Sequence, residues 1–322
     1  MQDSKKMDDL EKVDEIENRS GDNQKSKLKG WIELAAFLVF MVVILKVMSF
    51  IVNPIRMNRP DLVNERDKYV ASALCEPEDT MDVIIAGDSE AFVLASPQVL
   101  YDDEGISAYV GAQSGQRASE TYLFVKDMME KQNPKVLIIE TDFMVLETTT
   151  LREGVLSGLA LMEDAFPIFR YHNGWKEMIG VKEPEKYTHQ KGFDIRSTVK
   201  PYTDGEYMIE TTDKYPINAP VKYYISKIQK LCNENDCQLL FVTSPSPVNM
   251  TYSKHNALQE YSEEIGVPYI DFNMMLDELE IDWSMDSLDK GDHVNYYATQ
   301  KQSHYLSKYL KEHYDLPDHR EE

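Results

Sequence analysis

From about Asp61 onward the chain alternates between two patterns, segments whose apolar residues recur every three or four positions and short runs that are apolar throughout. The first pattern gathers apolar side chains on one face of a helix. The second, rich in Val and Ile and bounded by turn residues, suits a strand covered on both faces. Helices are therefore predicted over 61–74, 119–132, 221–235, 253–266 and 295–314, and strands over 81–88, 106–113, 134–141, 237–245 and 268–272. Strands separated by helices in this way predict an α/β fold, a doubly wound parallel sheet in three layers of the flavodoxin-like kind. The main domain is placed at 80–316, with a long insertion over 146–220 and a short tail over 317–322.

The N-terminal part reads differently. Residues 1–30 are highly charged and have no periodic apolar face, so they are expected to be a disordered tail. Trp31–Val52 follows, apolar all round and long enough to cross a hydrocarbon core of ~30 Å, with Lys46 near one end where it can snorkel. A buried core helix is the competing reading, but such helices rarely stay apolar on every side for this length. The leader before the span is too long and too charged for a cleaved signal peptide, which points to an uncleaved single-pass anchor. Lys25, Lys27 and Lys29 precede the span, against Arg56, Arg59 and Arg66 after it. These counts are near balance under the positive-inside rule, and the long uncleaved leader sets the expectation: N-terminus in the cytoplasm and large domain outside the cell membrane, with 53–79 as juxtamembrane linker and helix.

Composition narrows the function classes. A formal net charge of -22 argues against nucleic-acid binding, whose main term is phosphate neutralisation by Lys and Arg. Cys232 and Cys237 bracket a polar turn and are read either as a small disulfide loop or as two thiols, with Cys75 unpaired. No second Cys/His pair stands at metal spacing, so neither a metal nor another cofactor is expected.

A parallel sheet presents its chemistry at the carboxyl ends of its strands. The loops there are Gly87-Asp88-Ser89, "GAQSGQ" over 111–116, "ETDF" over 140–143 and "TSPSP" over 243–247. Ser89 is either the N-cap of the next helix or a nucleophile. Asp88 and Glu90 beside it read as solvated or loop-stabilising acids.

"GDSE" after the first strand, together with "DKGDHVN" (289–295) before the last helix, resembles the SGNH (GDSL-type) hydrolase superfamily. With the anchor and "DHVNY", the resemblance is narrower, to the membrane-tethered DltD-like and polysaccharide O-acetylation branch. It implies Ser89 as nucleophile and His293 as general base. The superfamily places its acid three residues before the His, where this chain has Lys290, so Asp289 is preferred and Asp292 is the alternative. For the oxyanion, the resemblance suggests the backbone N–H of Ser89 and of Gly111 or Gly115. The usual Gly and Asn block after the third strand is absent, which leaves Thr141, Gln113 or Gln116 as substitute donors.

The insertion suits a lid or acceptor-recognition face, with His172 as a substrate-side contact, or else a structural cap burying Phe166, Phe169 and Trp175. The function expected from the resemblance is an acyltransferase or esterase acting on O-acyl groups of a cell-envelope polysaccharide or teichoic acid, with a membrane-bound O-acyltransferase as partner. The rival is a catalytically silent scaffold that holds the polymer or the acyltransferase.

Overall fold

The computed structural model describes residues 2–181, 183 and 190–321, with side chains from Lys27 onward except at 177 and 321. Residues 184–189 of the insertion lie outside the described residues. The chain divides into two units, Met1–Val52 and Asn53–Glu322. The first is a single helix, α1 (Gln2–Val52), in which Lys27–Val52 is long and apolar enough to cross a membrane by length and composition. Its backbone stays helical back to Gln2, through the segment expected to be disordered. Lys, Glu, Gln and Met in this stretch carry little helix cost, and a helix nucleated at the apolar span propagates through them.

In the second unit, α2 (Lys68–Ala73) leads to β1 (Val83–Gly87), α3 (Ala91–Leu94), α4 (Pro97–Glu104), β2 (Ala108–Ala112), α5 (Ala118–Met129) and β3 (Val136–Glu140). The insertion contributes α6 (Thr150–Ala165), α7 (Ile168–Tyr171) and α8 (Trp175–Met178). After it come α9 (Ala219–Glu234), β4 (Gln238–Thr243), α10 (Tyr252–Ile265), β5 (Tyr269–Asp271) and α11 (Tyr296–His313). The five strands form one sheet in the order β2-β1-β3-β4-β5, parallel throughout.

Alternate residues of each strand serve opposite faces. Ile84, Ala86, Leu137 and Ile139 pack against Phe124 of α5, Ile225 and Ile228 of α9 and Leu258 of α10. Val83, Ile85, Val136 and Ile138 pack against Leu94 of α3, Leu100 of α4 and Leu306 and Leu310 of α11. The predicted three-layer α/β architecture is the observed one.

The helix predicted over 61–74 is shorter than its periodicity implied: a 3₁₀ turn at Pro60–Leu62, then α2. Asn64 and Asp67 are the cause. Asn64 Nδ2 donates to Asp67 Oδ2 at 2.7 Å and the Asp67 amide donates to Asn64 Oδ1 at 3.1 Å, a local pairing that competes with helical bonding. The three cysteines are free thiols, those of Cys232 and Cys237 buried, so the disulfide reading gives way to the two-thiol one. The hydrogen bond with the Cys232 thiol, together with burial, pushes Cys237 far above the ordinary thiol range.

Candidate active site

Ser89 lies just past the carboxyl end of β1, in the turn that enters α3. The N-cap position of α3 is Glu90, which makes no side-chain cap bond, and the Ser89 hydroxyl is turned elsewhere. Its Oγ is 3.0 Å from Nε2 of His293. On the other side of the ring, Nδ1 is 2.8 Å from Asp289 Oδ2 and 3.5 Å from Asp292 Oδ2. Both short bonds are satisfied together by one tautomer, with the proton on Nδ1 donated to Asp289 and the Ser89 hydroxyl donated to Nε2. Asp289 Oδ1 also accepts the His293 backbone N–H at 2.7 Å, which fixes carboxylate and imidazole to the same loop.

The loop's conformation explains why an acid four residues away reaches the ring. Lys290 and Gly291 both have left-handed backbone, with φ of 70° and 91°. This double turn folds Asp289 back onto His293, and glycine adopts it without steric cost. The second half of the insertion braces the loop. Lys200 N donates to Ser287 O at 2.9 Å, Lys290 N donates to Lys200 O at 3.0 Å, and the Tyr202 ring fills the space above Gly291. Asn295 caps α11 by accepting from the amides of Tyr297 and Ala298.

Beneath the serine lies a group of acids that sequence reasoning read as solvated or loop-stabilising, or did not single out. Asp88, Glu90, Glu140 and Asp142 are all buried. Glu140 accepts from the amides of Asp142 and Ser244, and Asp88 accepts from the amide of Glu90. Burial, reinforced by repulsion among these acids, holds the carboxyls of Asp88, Glu90 and Glu140 well above the usual range. Asp142 is pushed up to about 6 by burial, against the opposing pull of Lys254 and His293. Of the two readings of Asp88 and Glu90, the solvated one is corrected and the loop-stabilising one stands: the chain turns inward immediately on either side of Ser89. Nothing local signals this, because the partners are distant in sequence. Asn249 is the clearest case, its Nδ2 donating to Glu90 Oε1 and to Asp292 Oδ1, each at 2.9 Å. Among the described residues, Glu90, Asp292 and His293 also place one potential metal-ligand atom each within 4.8 Å of one another. The amide of Asn249 already bridges the two carboxyls, so the trio acts here as a hydrogen-bonded brace.

The candidate oxyanion and substrate residues divide. Gly111 is inside β2, opposite Ala86, and a Cβ there would fall 1.9 Å from the Phe124 ring, so this glycine makes room for packing. Gly115 stands in the open loop after β2 with φ of 62°. The Gln113 amide donates to Asp67 at 2.7 Å and the Gln116 amide to Thr121 at 3.0 Å. Both glutamines line a cavity of about 150 Å³ that also includes Asn53 and Arg170 but none of the Ser89–His293–Asp289 set. Thr141 is buried and its hydroxyl pairs with that of Thr243 at 2.5 Å. His172 is exposed and bonded through Nδ1 to the Phe169 carbonyl. The structure therefore joins Ser89, His293 and Asp289, sets Asp292 at their edge, and commits Gln113, Gln116, Thr141 and Gly111 to structural contacts.

No family model and no curated protein matches the chain. Among solved structures, it is similar to a protein described as lipolytic, of the G-D-S-L family, from Desulfitobacterium hafniense DCB-2. That likeness has 14% identity and a TM-score of 0.39, over 70% of this chain and 98% of the other. A protein from Bacteroides fragilis NCTC 9343 described as an acylhydrolase shows 11% identity and a TM-score of 0.39, over 77% of this chain and 95% of its own. A gut microbial diltiazem-metabolizing enzyme shows 14% identity and a TM-score of 0.22, over 59% and 41%. At these values the chemistry has to be argued from this chain's own residues.

Proposed function

We propose that the protein is a membrane-anchored serine esterase or acyltransferase of the SGNH type. The observation that carries this reading is the continuous hydrogen-bonded line from Ser89 Oγ through His293 to Asp289. A serine hydroxyl is a weak nucleophile until a base takes its proton, and the imidazole becomes that base when a carboxylate fixes its tautomer and stabilises its charged form. Ser89 Oγ attacks the acyl carbonyl as its proton passes to His293 Nε2, and Asp289 holds the resulting imidazolium. His293 then returns the proton to the departing alkoxide, leaving an acyl-Ser89 ester. Attack by water or by an acceptor hydroxyl, deprotonated by the same imidazole, releases the acyl group and restores the serine. The oxyanion is assigned to the backbone N–H of Ser89, with Gly115 as the loop glycine free of packing duties.

The combination of a helix able to span a membrane with an acyl-transferring serine on one chain supports a finer reading. The acyl groups belong to a cell-envelope polysaccharide or teichoic acid, the domain lies outside the cell membrane, and a membrane-bound O-acyltransferase is the partner. Hydrolysis of a small acetyl ester by the purified full chain tests the chemistry. Ser89→Ala and His293→Ala are each expected to abolish turnover, and the double variant to be no worse than either, because members of one catalytic unit are strongly non-additive. No turnover by the folded wild-type chain would point to the silent scaffold, and unchanged turnover in Ser89→Ala would place the chemistry on another residue.

A further inference from the structure

Helix α6 is built inside out. It buries Glu153, Ser157 and Ala160, with Glu153 paired to Arg117 at 2.7 Å, and turns its larger apolar residues to solvent. Leu151, Val155, Leu159 and Met162 form one stripe at i, i+4, i+8 and i+11, and Leu151 and Val155 are 79% and 57% exposed. Gly154 and Gly158 lie between them, with nothing within 4 Å of where a Cβ would stand, and Leu161 extends the face. A soluble helix shows the opposite distribution. The exposed apolar surface continues after the helix. Phe169 and Trp175 are exposed, so the alternative of a structural cap over these rings does not hold, and Ile179 and Val181 follow at 66% and 69%.

What covers this face is indicated by where it lies within its own domain. The last turn of α6 and the segment after it, through Glu163, Pro167, Arg170 and Tyr171, share a cavity with Asn53 and Ile55, the first residues of the domain. Asn53 directly follows Val52, the end of the apolar span. With the span inserted, Asn53 stands at the bilayer surface, and α6 ends within side-chain reach of it. Trp175 beside Lys176 adds a pairing favoured at the membrane–water boundary. The chain's net charge of -22 argues against attraction to anionic headgroups as the main driving force, which favours burial of apolar side chains.

We infer that the outer face of α6, with the segment through Val181, lies in the interfacial layer of the membrane and holds the domain down against the lipid surface. This rests on the anchored reading above. Held in this way, Ser89 would work close to the bilayer rather than at the end of a free tether.

The test uses the full chain reconstituted in phosphatidylcholine vesicles. With Cys75→Ser, one cysteine is introduced by Val155→Cys and labelled with an environment-sensitive fluorophore. Lys230→Cys, on the solvent side of α9, is the control. Spin-labelled lipids are expected to quench the probe at 155 by more than about half while leaving the probe at 230 nearly untouched, as for a face sunk into the headgroup boundary. Equal, weak quenching at both positions in protein that floats with the vesicles overturns the inference and leaves the anchor standing. Protein that fails to float overturns both. A probe at 155 shielded from lipid and water alike, with a cross-linked dimer or a cross-linked second protein, replaces the bilayer with a protein partner and also overturns it.

Discussion

Asp289 and Asp292 compete for one imidazole nitrogen, at 2.8 against 3.5 Å, and the difference decides which is expected to orient His293. Asp289→Asn should lower turnover by about 10³–10⁴, the effect of leaving an imidazole in the wrong tautomer. Asp292→Asn, which keeps an acceptor for Asn249, should cost far less; comparison of kcat/KM for the two variants checks the assignment. The sequence narrowed the acid to these two positions with Asp289 preferred, and the left-handed turn at Lys290 and Gly291 is what brings Asp289 the closer of the two. Ser89 and His293 were legible because each sits in a short motif at a strand end or before a helix. The buried acids were not, since Glu90 meets Asn249 only through the tertiary fold. Their raised proton affinity has a stability consequence. A carboxyl with folded pKa above its unfolded value contributes stability that is complete below the unfolded pKa and is lost as pH rises through the folded one. For Asp142 that window closes near pH 6, and for Glu90 it lies well above the usual carboxylate range. Glu90→Gln, which keeps an oxygen for Asn249, should therefore raise the melting temperature at pH 8 and change it little at pH 4. A shift that is equal at both pH values would contradict the buried-acid description.

At the scale of elements, the sheet and its flanking helices were readable from periodicity because each strand is apolar on both faces and each long helix on one. What periodicity could not register was the loss of helix at 61–67 to the Asn64–Asp67 pairing, or the inverted face of α6, which as a pattern looks like any amphipathic helix. Gly111 shows the same limit. In sequence it stands in a polar loop motif, but the register of β2 against β1 puts it under Phe124 of α5. Gly111→Ala should destabilise the domain by about 1–3 kcal/mol through overpacking, read by chemical denaturation, while the folded fraction keeps its turnover. Loss of turnover in folded protein would return Gly111 to the oxyanion site.

At the scale of the whole molecule, a helix able to cross a membrane precedes a domain with its own sheet and its own two-sided core. Protease added to intact cells is expected to remove the domain, and protection until lysis would reverse the proposed orientation. The central claim concerns Ser89 in that full-length setting, and the most direct measurement is covalent. Membranes carrying the complete chain are treated with a fluorophosphonate, and the adduct is located by peptide mass spectrometry. One adduct on Ser89, lost in His293→Ala although Ser89 is still present, is the predicted result. No adduct on the folded chain, or one on Ser89 that survives His293→Ala at an undiminished rate, would contradict an imidazole-activated serine.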